Sequence, residues 1–170
     1  MGRSLRVCFA SSEVAPLAKT GGLADVSNAL PRYLHSAGHD VRLFMPLYSR
    51  IDAQSLDMHP VDFLQEVPLE LGPHRYRFSV FTASLPGSHL MIYLVHCPVL
   101  YARPGIYSSA PDEHLRFLLL TRAAIESCQR MGFTPDILHC NDWHTAFGPL
   151  FLRSIYAWDA LFKATRTVLT

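Results

Sequence analysis

Two short stretches of the 170-residue sequence hold side chains suited to chemistry. In "APLAKTGGLADV" (15–26) Lys19 stands just ahead of Gly21 and Gly22, and in "HCNDWHT" (139–145) His139, Asn141, Asp142, Trp143 and His144 crowd together. An ammonium beside two glycines that open a helix suits an anion. The glycines let bare backbone N–H groups approach it, and the helix N-terminus adds positive potential. The other reading of these residues is a Thr20 helix cap, a two-glycine turn and a solvated Lys19. The pattern is neither G-x-x-x-x-G-K-[ST] nor G-x-G-x-x-G, so the P-loop and dinucleotide fingerprints are both missing. The second stretch offers hydrogen-bonding groups for hydroxyls beside a flat ring that can pack on the C–H face of a sugar. Its plainer reading is an Asp142 cap, a core Trp143 and incidental histidines. No third ligand cluster accompanies the histidines, so no metal and no cofactor are expected.

These residues need elements to position them. "LRVCFAS" (5–11) reads as a buried first strand. Leu23, Val26, Leu30 and Leu34 recur at helical spacing after the glycines, with Gly38 as the stop before a second strand, "VRLFMP". Strand, helix and strand within about 40 residues make a βαβ unit, hence a parallel sheet with a right-handed crossover. Pro31 falls inside the helical pattern and predicts a bend near residues 27–31. Three β-rich runs follow, "VDFLQEVPLEL", "RYRFSVFTASL" and "HLMIYLVHC", separated by the turn signals "GPH" and "PGS". They predict an antiparallel meander. Residues 97–112 hold three prolines, a glycine and two tyrosines, a loop long enough to suggest binding. A helix is then expected over 113–132, a strand with a polar tip over 134–142, a helix over 143–158 and the opening of another strand in "TRTVLT". That opening stops without a turn or cap, which suggests a truncated domain. The fold class expected is thus α/β, a Rossmann-like, doubly wound, mostly parallel sheet with the meander inserted. Both chemical stretches then fall at carboxyl ends of strands, where such sheets bind ligands.

Composition narrows the partners. With 49% hydrophobic and 17% charged residues the chain can bury a core as one globular domain. A net charge of +1 makes no case for nucleic acid or an anionic membrane, and a small molecule or neutral polymer fits better. The longest apolar runs, such as "FLLL", fall far short of the roughly 20 residues that cross a bilayer, and the start lacks the shape of a signal peptide, so a cytoplasmic protein is expected. Cys8, Cys97, Cys128 and Cys140 form no C-x-x-C pair and lie in or near apolar segments, which suits buried free thiols.

With these residues in view, the sequence closely resembles the bacterial glycogen synthases and plant starch synthases that elongate α-1,4-glucans from ADP-glucose. The resemblance rests on "SSEVAPLAKTGGLADVSNALPRYL", "GHDVRLFMPLY", "LYARPGIY", "HLRFLLLTRAA" and "PDILHCNDWHTA", and it covers nearly the whole chain in order. It implies a glycosyltransferase-B fold, two Rossmann-like domains facing across a cleft, with residues 1–170 forming most of the N-terminal one. Lys19, Gly21 and Gly22 would then lie beside the donor's phosphates and the transferred glucose, with Glu13 and Asp25 shaping the same wall. Tyr101 and Trp143 would contact glucose units, and Asp142 and His144 would stand nearest the reacting bond. The partners implied are ADP-glucose, the α-1,4-glucan (glycogen) and a C-terminal domain that is missing here. In the family the strand begun by "RTVLT" runs into a histidine-asparagine turn, and the nucleotide-binding arginine, lysine and glutamate lie in the second domain. None of these stands in this sequence, so the 170 residues alone are expected to be an incomplete enzyme. The rival reading is a non-catalytic carbohydrate-binding fragment.

Overall fold

The structure, a computed structural model, describes residues 3–170. β1 (Arg6–Ala10) has Val7 to Ala10 buried, as a strand covered on both faces requires. It leads into α1 (Gly22–Ser36) and β2 (Asp40–Pro46). A two-residue β3 (His59–Pro60) and a 3-10 turn at Asp62–Leu64 come before β4 (Val67–Leu71), β5 (His74–Ser84) and β6 (Met91–His96). A single helical turn, α2 (Pro98–Tyr101), opens the next loop. α3 (Glu113–Arg130), β7 (Ile137–Cys140), α4 (Asp142–Thr145), α5 (Gly148–Arg153) and β8 (Arg166–Leu169) complete the chain.

The strands order as β3-β5-β6-β2-β1-β7-β8, with β4 pairing β5 beside this path. β1 pairs in parallel with both β2 and β7, β2 with β6, and β7 with β8. The chain therefore leaves β1 in one direction, through β2 to β6, and returns by α3 to β7 on the other side. Right-handed crossovers running in opposite directions put α1 and α3 on opposite faces of the sheet. The carboxyl ends of β1 and β7 mark the point where the order reverses, the place where sheets of this kind bind ligands. Phe9, Leu43, Phe44, Leu94, Leu119 and Leu120 fill the core.

The doubly wound sheet and the β4–β5–β6 meander agree with the expectation, and β6 joins the parallel part through β2. α1 continues as a helix through Pro31, which is buried and lies well inside it. Two details differ. The first β-rich run does not become a strand until Val67, because Glu66 takes a positive φ of 51° and residues 62–64 form the 3-10 turn. The single helix expected over 143–158 is two short ones. Pro149 has no N–H and its ring crowds the carbonyl of Thr145, so α4 ends there and α5 begins at Gly148.

Candidate active site

Loops after β1, β6 and β7 meet at the switch point. The β1–α1 loop is pinned at several places. The Ser11 N–H donates to the Phe44 carbonyl at 3.0 Å, Tyr48 Oη to the Ser12 carbonyl at 2.8 Å, and the Ala15 N–H to the Ala24 carbonyl at 3.1 Å. This holds Glu13, only 2% exposed, with its carboxylate saturated. Oε2 accepts from the Thr20 N–H at 2.5 Å, and Oε1 accepts from Thr20 Oγ1 at 2.6 Å and from Tyr107 Oη at 2.5 Å. The single phenolic proton is used on Glu13, so at the 2.9 Å contact with Ser12 Oγ it is the serine that donates. Burial raises the Glu13 pKa, but the bonds from Thr20, Tyr107 and the Gly21 backbone outweigh it and hold the carboxyl below its ordinary value. Burial and the adjoining carboxylate push the Tyr107 hydroxyl well above its usual range.

The β7 tip is fixed by Asn141. Its Nδ2 donates to the Ala10 carbonyl at 3.0 Å and its Oδ1 accepts from Thr170 Oγ1 at 3.1 Å, which ties the ends of β1, β7 and β8 together. Asp142 follows with a positive φ of 60°. Its N–H donates to the Thr170 carbonyl at 2.6 Å and its Oδ1 accepts from the Trp143 N–H at 2.6 Å. After this sharp turn the two rings pack against each other, 4.1 Å apart and tilted by 31°, but are covered to different extents. Trp143 is 54% exposed and meets Phe117 edge-on at 5.4 Å, whereas His144 is 7% exposed. The His144 imidazole stacks on Tyr107 at 4.8 Å and 19° and lies edge-on to Phe117 at 4.6 Å. Burial lowers its pKa below the ordinary value, against the pull of Asp142, Glu13 and Glu113, so the ring is neutral at pH 7. Its Nδ1 is buried, without a hydrogen-bond partner, 4.0 Å from Asp142 Oδ2.

At the start of α1, Lys19 Nζ lies 2.7 and 2.8 Å from the two Asp25 oxygens, both side chains being exposed. Gly21 is the N-cap residue, with extended backbone and no side chain capping it, since the Thr20 hydroxyl is turned to Glu13. A Cβ at Gly21 or Gly22 would meet nothing within 4 Å. The fold itself therefore does not require glycine at either place, and the space above the helix end is open to something outside the chain.

Glu13, Asp142, Trp143 and His144 thus belong to one surface, linked by Tyr107, with Lys19, Asp25, Gly21 and Gly22 at its α1 edge. Tyr101 does not belong to it. The ring is fully buried, its hydroxyl donates to the Arg116 carbonyl at 2.8 Å, and it faces the core, so it is not a sugar contact in this structure. The tyrosine that the 97–112 loop brings to the site is Tyr107. Both tyrosines stood in the stretch that proline and glycine marked as a binding loop. What separates them is the helical turn α2, which rotates Tyr101 inward and has no strong sequence signal. Among the described residues no three His, Cys, Asp or Glu side chains gather as a metal site.

The sequence pattern of the starch synthase catalytic domain family matches residues 6–170. The chain belongs to that family. It is 41% identical over 170 residues to glycogen synthase 1 of Geobacter sulfurreducens and 38% identical to the glycogen synthase of Aeromonas hydrophila, covering 98% of this chain and 34% of each relative. The catalytic domain of starch synthase IV from Arabidopsis thaliana, solved bound to ADP and acarbose, superposes with a TM-score of 0.87 at 28% identity, over 98% of this chain and 34% of that one. The chain thus spans about a third of the length of the curated relatives it matches. The fold expected from the resemblance, a Rossmann-like unit of glycosyltransferase-B type, is borne out.

Proposed function

We propose that this chain is the acceptor-facing domain of a retaining glucan synthase, which transfers glucose from ADP-glucose to the non-reducing end of an α-1,4-glucan such as glycogen. The observation that carries the reading is the exposed Trp143 indole standing at the switch point beside the neutral His144–Tyr107 stack. An aromatic face next to hydrogen-bonding groups is what a pyranose needs, and the ADP and acarbose in the starch synthase IV structure are a nucleotide and a sugar-like ligand. Lys19 and the open end of the helix at Gly21 and Gly22 would meet the diphosphate, whose charge grows as the glycosidic bond breaks, while the acceptor hydroxyl attacks on the same face. Asp142 and neutral His144 would orient the transferred glucose. Glu13, held by Thr20 of its own loop and by Tyr107, shapes the wall and is not free to take a proton. The rest of the nucleotide site would come from a second domain. Four buried free cysteines are in keeping with a reducing, cytoplasmic setting.

Titration of the chain with maltoheptaose, followed by tryptophan fluorescence, tests the sugar-facing surface. A saturable change in emission that disappears in Trp143→Phe, with Trp158 left in place, is expected. An equal change in both proteins would remove the reading.

A further inference from the structure

Arg116 is the largest fully buried side chain of the chain, at 0% exposure on α3. A guanidinium is costly to bury, and an apolar side chain of similar size would serve stability at least as well. What only arginine supplies is a planar fork of five donors. Here the fork is spent mainly on one loop. Nε donates to the Leu100 carbonyl at 2.9 Å, Nη1 to the Ile106 carbonyl at 2.8 Å, and Nη2 reaches the Gly105 carbonyl at 3.5 Å. Nη1 also lies 3.0 Å from both oxygens of Glu113, and that carboxylate accepts from the Ser108 N–H at 3.0 Å and from Ser108 Oγ at 2.5 Å. The residues so held, Gly105, Ile106 and Ser108, flank Tyr107 on both sides. Farther out, Arg103 and Asp112 close the base of the loop with a two-pronged contact at 3.0 and 2.5 Å. Phe117, next to Arg116, makes the floor under Tyr107 and His144.

We propose that Arg116, with Glu113 as its relay, is a positioning residue of the site: it sets the 103–108 loop so that Tyr107 is wedged between Glu13 and His144, closing His144 off from water. The role rests on the reading of Tyr107 and His144 as part of the sugar-facing surface. Glu13 and Ser12 alone do not fix that geometry, because they hold only the phenolic oxygen and leave the ring free to swing about it.

A histidine-ring NMR titration of the 170-residue chain reads this without sugar or nucleotide, so its outcome is independent of whether glucan binds. The groups facing His144 are Asp142, Glu13, Glu113 and Tyr107. Arg116→Lys keeps the positive charge and loses the fork. The His144 midpoint is expected to move up toward the ordinary histidine value while circular dichroism shows the chain folded. Tyr107→Ala should move it the same way, and adding Arg116→Lys to Tyr107→Ala should move it no further, since one acts through the other. An unmoved midpoint in folded Arg116→Lys, or additive shifts in the double variant, overturns the proposal. Ser108→Ala, at an exposed position, is the milder variant should Arg116→Lys not fold. The same upward movement, smaller, is expected there, and none would overturn it equally.

Discussion

Lys19 and Asp25 hold each other at the mouth of the site with more than half of each side chain in solvent, so their attraction adds at most about 1 kcal/mol to stability. The ammonium is therefore easily handed to a phosphate. Lys19→Ala is expected to leave the melting temperature nearly unchanged, yet in an active synthase carrying this chain to reduce kcat/KM for ADP-glucose by about 2 to 4 kcal/mol of transition-state stabilisation. Lys19→Arg should rescue only in part, because a planar fork does not replace a compact ammonium. A near-normal kcat/KM in the alanine variant would end the phosphate role. The neighbouring aromatics behave in opposite ways. Of the pair it is the large indole that lies exposed and the polar imidazole that lies buried, an inversion of the usual order that favours the sugar-facing reading of Trp143 over the core one. Trp143→Ala should cost about 1 kcal/mol of stability or less and, in an active synthase carrying this chain, raise the KM for maltoheptaose roughly fivefold. His144→Ala, opening a gap among Tyr107, Phe117 and Trp143, should cost about 2 to 3 kcal/mol. Calorimetric melts with primer kinetics on both variants check the inversion. Acid should act on the same cluster. His144 and His139 are both lowered by burial, and Glu13 is held low by its hydrogen bonds despite burial, so each titrates in the fold below its unfolded value. Each then contributes stability that is present above the unfolded value and lost as pH falls through the folded one. The melting temperature should be flat above pH 7, fall from about pH 6.5 as the unfolded chain's histidines begin to take protons, and fall again below about pH 4.5 as its carboxylates follow. A rise on acidification from pH 7 to 5.5 would contradict this.

The βα elements were legible in the sequence because each carries a strong periodic or positional signal. "LRVCFAS" is short and continuously apolar, α1 has leucines at helical spacing, and α3 is a long run that ends at Gly132. What escaped was decided by single backbone positions whose cost is repaid only in three dimensions: Glu66 with positive φ, the α2 turn that buries Tyr101, and the break at Pro149. The last could have been read from "GP" inside the helical run. The break has a further packing reason. A Cβ on Gly148 would come 2.5 Å from Cys140 Sγ and 3.1 Å from a Leu138 methyl, so α5 lies on β7 closely enough to need glycine. Gly148→Ala is expected to destabilise by about 1 to 3 kcal/mol. Cys140→Ala in the same chain should recover part of that loss, since it removes the nearer atom. A Gly148→Ala melting temperature equal to wild type would show that the two elements do not press together as described.

At the scale of the molecule, the eight-stranded sheet carries one wall of the proposed cleft. Transfer needs an opposite wall for the nucleotide, so the 170-residue chain is expected to incorporate no radiolabelled glucose from ADP-glucose into glycogen. Incorporation clearly above a heat-killed control would show that this wall suffices. The position of β1 also bears on how such a surface comes into being during synthesis. β1 leaves the ribosome well before its neighbour β7 and the Asn141 that ties it to β8, which lie some 130 residues later in the chain. At 5 to 20 residues per second, β1 waits roughly 7 to 26 seconds before the strand that pairs with it exists. For that interval one apolar edge of the central strand is open to solvent and to chaperones. The surface proposed to meet sugar can form only after residues 137–145 arrive, and its ties to Thr170 come later still.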